Sequence, residues 1–61
     1  MASKSGYDIK AGDKFQYGGM IYRATADATG EFNAYVRCYH DLTGTDTEII
    51  VRHGDGVEML E

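Results

Sequence analysis

Residues 32–42, Phe-Asn-Ala-Tyr-Val-Arg-Cys-Tyr-His-Asp-Leu, form the longest unbroken period-two pattern in the chain. Side chains alternate across a pleated strand, so this stretch is predicted to be the central strand of a sheet. Phe32, Ala34, Val36, Cys38, His40 and Leu42 would line the core, while Asn33, Tyr35, Arg37, Tyr39 and Asp41 would face outward. Fully extended, the stretch would run roughly 36 Å at about 3.3 Å per residue, longer than an ordinary strand, so a bend and a curled sheet are expected.

The segments on either side fall into shorter strands punctuated by glycine. Lys14 to Tyr17 opens the first strand, and Gly18-Gly19 is the connection of a tight hairpin that needs positive φ. Met20 to Ala26 reads as the second strand, with Met20, Tyr22, Ala24 and Ala26 inward, since Arg23 would be costly to bury on the opposite choice. A loop over residues 27–31 leads into the central strand. Thr43-Gly44-Thr45 turns the chain back into a fourth strand, Glu48 to Arg52, whose three adjacent apolar residues predict two-sided burial or a bulge. His53-Gly54-Asp55-Gly56 turns it again into a short fifth strand, Val57 to Leu60. No segment carries helical periodicity. The chain is therefore expected to be all-β, a small five-stranded SH3-like barrel, with hairpin order preferred over the OB-like alternative. Residues 1–8 are assigned to a flexible N-terminal tail, with Tyr7 and Ile9 fastening it to the barrel rim, and residues 9–61 to the single domain.

Composition narrows the function classes. With 61 residues the core is small, and the single cysteine, Cys38, excludes an internal disulfide, so a buried thiol and a reducing, cytoplasmic setting are expected. The opening Met-Ala-Ser-Lys-Ser-Gly has no apolar run of the signal-peptide type, and no stretch approaches a membrane span. A formal net charge of −4 opposes binding to duplex DNA.

The residues from Ala34 to Glu48, with Ala34, Val36, Arg37, Leu42, Thr43, Gly44, Thr45 and Glu48 in one gapless register, resemble the N-terminal KOW-like, SH3-type domain of the bacterial translation elongation factor P family. Ala11-Gly12 followed by a Gly-Gly hairpin is similar too. The resemblance implies the barrel and a translation role. In that family a modified lysine at the tip of the loop before the central strand reaches toward transfer RNA. Here the register places Thr29 at that position, followed by Gly30.

The candidate binding residues are Tyr35, Arg37 and Tyr39, two aromatic rings flanking a guanidinium on the outer face, with Thr29 and Glu31 of the adjoining loop beside them. Aromatic planes and arginine are the residue types that dominate recognition surfaces. Cys38, His40 and His53 are too few and too unlike paired cysteines for a structural zinc site, and Asp41, Asp46 and Glu48 do not have calcium-loop spacing. Cys38 with a histidine, or His53 with Asp55, would be the only catalytic pairs to consider; an inward thiol and a glycine turn argue against both. A chain of this size also leaves little room for a small-molecule pocket of roughly 300 Å³ or more. The sequence thus points to a non-enzymatic binding module without cofactor or metal, recognising a protein or ribonucleoprotein partner, with RNA possible. The alternative is a small acidic inhibitor of a nucleic-acid-processing enzyme, using Asp27, Glu31, Asp41, Asp46, Asp55, Glu58 and Glu61 as a nucleic-acid mimic.

Overall fold

A computed structural model describes residues 3–60; the expectations for Met1, Ala2 and Glu61 lie outside the described residues. Six strands, β1 (Ser3–Ser5), β2 (Lys14–Tyr17), β3 (Met20–Ala24), β4 (Ala34–His40), β5 (Asp46–Val51) and β6 (Gly56–Met59), form one antiparallel sheet in the order β1-β6-β2-β3-β4-β5. The fold is all-β. Among the described residues no ladder joins β5 to β1, so the sheet curls without closing through strand pairing. Among the described residues no helix is long and apolar enough to cross a membrane.

The sheet is apolar on one face only. Ile9, Phe15, Tyr22, Ala24, Ala34, Val36, Cys38, Val51, Val57 and Met59 are buried together. Phe15 and Tyr22 are direct cross-strand partners with ring centroids 5.7 Å apart, which joins β2 to β3 through aromatic contact as well as the ladder. The inward set of β4 is Ala34, Val36 and Cys38, as the alternation predicts.

The central strand is shorter than its pattern. It ends at Ala34 and His40, leaving Phe32 67% and Leu42 91% exposed. Phe32 sits in a bend and stacks on His53 at 4.6 Å, and Leu42 sits in the turn that the Gly44 N–H closes by donating to the His40 carbonyl. Met20 is likewise 48% exposed, because it pairs with Tyr17 beside the Gly18-Gly19 turn, past the end of the core. The triplet Ile49-Ile50-Val51 needs no bulge, since its register with β4 is unbroken. Ile49 is half-buried against the core, Ile50 points outward and Val51 points in.

The largest difference from the sequence expectation is at the start of the chain. Ser3–Ser5, assigned above to a flexible tail, pairs with β6 as a sixth strand, and Gly6–Asp8 forms a 3-10 turn capped by the Ser5 hydroxyl, which accepts from the Tyr7 N–H. This pairing is made by backbone groups and leaves no apolar alternation to detect. Lys4 adds an ion pair to Asp13 at 3.1 Å, and Asp13 also accepts the Lys10 N–H at 2.9 Å. That backbone bond, helped by the Lys4 ammonium and opposed by desolvation, holds the Asp13 carboxyl below its ordinary pKa. A partly exposed pair of this kind contributes at most about 1 kcal/mol, so the apolar residues that follow matter more.

Those residues close the core. Ile9 is fully buried, Tyr7 packs beside it, and Gly6 lies so near the β4–β5 pair that a Cβ there would be 2.7 Å from Val51 Cβ and 3.0 Å from Ala34 Cβ. Gly6→Ala is expected to lower the unfolding free energy by about 1–3 kcal/mol through overpacking. Added to Val51→Ala it should cost less than the sum of the two single changes. Denaturant titration of the three variants measures this, and a neutral Gly6→Ala would contradict the contact.

Candidate functional site

Tyr35, Arg37 and Tyr39 come from alternate positions of β4 and stand on the outer face as expected, Tyr35 and Arg37 exposed and Tyr39 half-buried. Their cross-strand partners in β5 are Ile50, Glu48 and Asp46 respectively. The face is thus built of three pairs: aromatic with aliphatic, guanidinium with carboxylate, aromatic with carboxylate. Among the described residues the Arg37 guanidinium makes no hydrogen bond and no ion pair within 4 Å.

The neighbouring loop is held against this face by backbone bonds. Thr25 donates through both its N–H, at 2.8 Å, and its hydroxyl, at 3.1 Å, to the Arg37 carbonyl. Thr29 and Tyr35 exchange both backbone bonds, at 3.0 and 2.7 Å. Gly30, at φ +112°, lies under the Tyr35 ring: a Cβ there would come within 2.8 Å of Tyr35 Cδ2 and would collide with the Asn33 carbonyl. Only glycine fits that position. Thr29 is therefore anchored to the sheet and does not form a projecting tip, while Glu31 beyond it is exposed.

Thr25, Arg37, Cys38, Asp46, Thr47 and Glu48 enclose an open cleft of about 460 Å³. The sequence reading leaves little room for a cavity of such a volume; the cleft is open and lies at the Arg37–Glu48 and Cys38–Thr47 pairs of β4 and β5, beside the core and not within it. Its lining is largely polar, unlike the apolar enclosure typical of small-molecule sites. One guanidinium shares the cleft with two carboxylates, which offsets its field toward a phosphate backbone. Asp46, weighed above as a calcium ligand and as part of an acidic surface, Glu48, weighed as a calcium ligand, and Ile50 belong to this surface through the β4–β5 register. That register could have been counted back from the Thr43-Gly44 turn.

A second, smaller hollow of about 160 Å³ lies beyond the C-terminal end of β4, lined by Gly19, Met20, Ile21, His40, Leu42 and Thr43. His40 packs on Tyr22 with ring centroids 5.0 Å apart, and its buried Nδ1 has no hydrogen-bond partner among the described residues. His53 lies elsewhere, stacked on Phe32, with its N–H donating to Asn33 Oδ1 at 2.9 Å. Among the described residues no three His, Cys, Asp or Glu side chains are grouped as a metal site.

Comparison of this chain with protein-family models, curated proteins and solved structures finds no match in any of the three.

Cys38 is 2% exposed, and desolvation pushes its thiol pKa up from the ordinary value, the Glu48 carboxylate adding to the rise while a bond from the Ile49 backbone opposes it. A buried, protonated thiol reacts only when the strand opens. Native protein at neutral pH should therefore consume a thiol reagent at least about a hundredfold more slowly than glutathione does. Labelling as fast as glutathione would contradict the inward placement of Cys38.

Proposed function

We propose that this chain is a non-enzymatic binding module that recognises a protein, or the protein part of a ribonucleoprotein, through the outer face of β4 and β5, with Tyr35, Arg37 and Tyr39 as principal contacts and Thr29 and Glu31 at the margin. The observation that carries the reading is the Arg37 guanidinium, unpaired among the described residues, standing between two tyrosines beside an open, mixed-charge cleft. An arginine with no internal partner has its donors available, and the flanking rings supply rigid contact area at low entropic cost. The two carboxylates beside it favour a protein partner over naked RNA.

An SH3-like architecture is part of the proposal. The run β2-β3-β4-β5 with β6 returned beside β2 supports it, and β1 extends the sheet at that edge. A distant relation to the elongation factor P domain is compatible with that order, but Thr29 has neither the chemistry nor the projecting position that a transfer-RNA contact of that kind uses. The single buried thiol fits a reducing compartment such as the cytoplasm. The acidic-inhibitor alternative has less support, because several of its carboxylates are occupied: Asp27 accepts the Ala11 N–H, Asp41 lies 3.5 Å from Lys14, and Asp55 accepts the Tyr17 hydroxyl.

Affinity capture from source-cell lysate, with wild type beside a Tyr35/Arg37/Tyr39→Ala variant shown by circular dichroism to be folded, tests the reading. Partners should be lost from the variant, should survive nuclease, and should weaken only modestly with salt. Partners that the variant retains and that salt releases steeply would move the function to the carboxylates.

A further inference from the structure

The edge of β5 carries a specific docking geometry. In an antiparallel ladder, successive residues turn their backbone groups alternately to one neighbour and the other. On β4, the Tyr35 and Arg37 carbonyls are taken by Thr29 and Thr25, on the side away from β5, and the Tyr35 N–H also goes to Thr29. Ala34, Val36 and Cys38 therefore bond to β5, and their partners there are Val51, Ile49 and Thr47. It follows that Asp46, Glu48 and Ile50 turn their N–H and C=O groups outward, along an edge that no described strand covers. The same three residues put their side chains on the Tyr35–Arg37–Tyr39 face, and all three are exposed.

We propose that β5 accepts an extended peptide as a seventh, antiparallel strand, and that this peptide carries an apolar residue followed by two basic residues at alternate positions. The backbone groups of Asp46, Glu48 and Ile50 supply the main-chain bonds of strand addition. The side chains set the pattern. Read along the antiparallel partner, its first outer-face residue lies opposite Ile50, the next opposite Glu48 and the last opposite Asp46. An apolar side chain completes the Ile50–Tyr35 pair, and lysine or arginine meets each carboxylate, cross-strand pairs that stabilise where like charges would repel. Charge complementarity selects this occupant over a second copy of the chain. Each copy carries a net charge of −4, and two-fold pairing centred on Glu48 would set that carboxylate against its own counterpart. The inference rests on the outer face being a protein-binding surface and adds how the partner is held.

The test uses the full-length, isotopically labelled chain and a short synthetic peptide with valine, lysine and lysine at alternate positions between threonines. At low salt the peptide should slow hydrogen exchange at the Asp46, Glu48 and Ile50 amides. Glu48→Lys should weaken binding by about fivefold or more, and N-methylation of the peptide amides that face β5 should abolish it. Ile50→Lys is a second edge variant in case the first perturbs folding. No slowing of those three amides at peptide saturation, or unchanged affinity for the N-methylated peptide, overturns strand addition. Edge protection that appears without peptide and scales with protein concentration overturns it in favour of self-association. Failure here is distinguishable from failure of the binding-face reading. A partner lost with Tyr35/Arg37/Tyr39→Ala but indifferent to the edge variants keeps that reading and rejects the strand, whereas peptide protection of β5 that the triple variant leaves intact does the reverse.

Discussion

The passage of Gly6 against Val51 and Ala34 is the contact on which the rest of the molecule depends. A sheet that is apolar on one face needs a second layer, and among the described residues no α-helix provides one. The solution is curvature plus a short lid. The sheet curls around Phe15, Val36 and Val57, and the segment from Gly6 to Ile9 covers the opening beside β4. A residue with a Cβ at position 6 would lift that lid away from Val51. Surface ion pairs such as Lys4–Asp13 and Lys14–Asp41 tie elements together at their rims, but each is worth at most about 1 kcal/mol, less than the roughly 1.5–3 kcal/mol gained by burying one large apolar side chain such as Ile9 or Phe15.

The lid that follows β1 packs on the inner face of β4 and β5 and leaves their outer face exposed. The two faces of β4 then divide the work: Ala34, Val36 and Cys38 hold the fold, and Tyr35, Arg37 and Tyr39 are left to the exterior. Loop residues 25–30 stiffen that exterior through backbone bonds to Arg37 and Tyr35, so the aromatic face is presented by a fixed scaffold. Fixed side chains lose less entropy when a partner arrives. Beside them, β5 contributes an unpaired edge whose acidic residues also discourage indiscriminate pairing, since charged edges resist aggregation.

Most of the strand pattern was legible because its cause is local. Alternation in residues 34–40 and the Gly18-Gly19 turn follow from side-chain direction and allowed φ, which any window of the sequence reveals. What was not legible has non-local causes. Phe32 and Leu42 continue the apolar period outside β4, and Met20 continues it inside β3 but past the end of the core, and only the packed core determines where burial stops. β1 was missed because Ser3, Lys4 and Ser5 contribute backbone bonds and no apolar alternation. The aromatic–arginine face was visible from spacing alone. Its partners Asp46, Glu48 and Ile50 required the β4–β5 register, and Thr25 required a fold-back that nothing in its neighbourhood announces.

Among the described residues β5 is an edge strand, with one side committed to β4 and the other open. Residue-resolved hydrogen exchange of the dilute, unliganded chain tests this most directly. Protection should alternate along the strand, with Thr47, Ile49 and Val51 protected and Asp46, Glu48 and Ile50 exchanging nearly as fast as an unstructured peptide. Uniform protection from Asp46 to Val51 at all protein concentrations would mean that the sheet closes on itself at this edge, and the account of an open binding strand would be wrong.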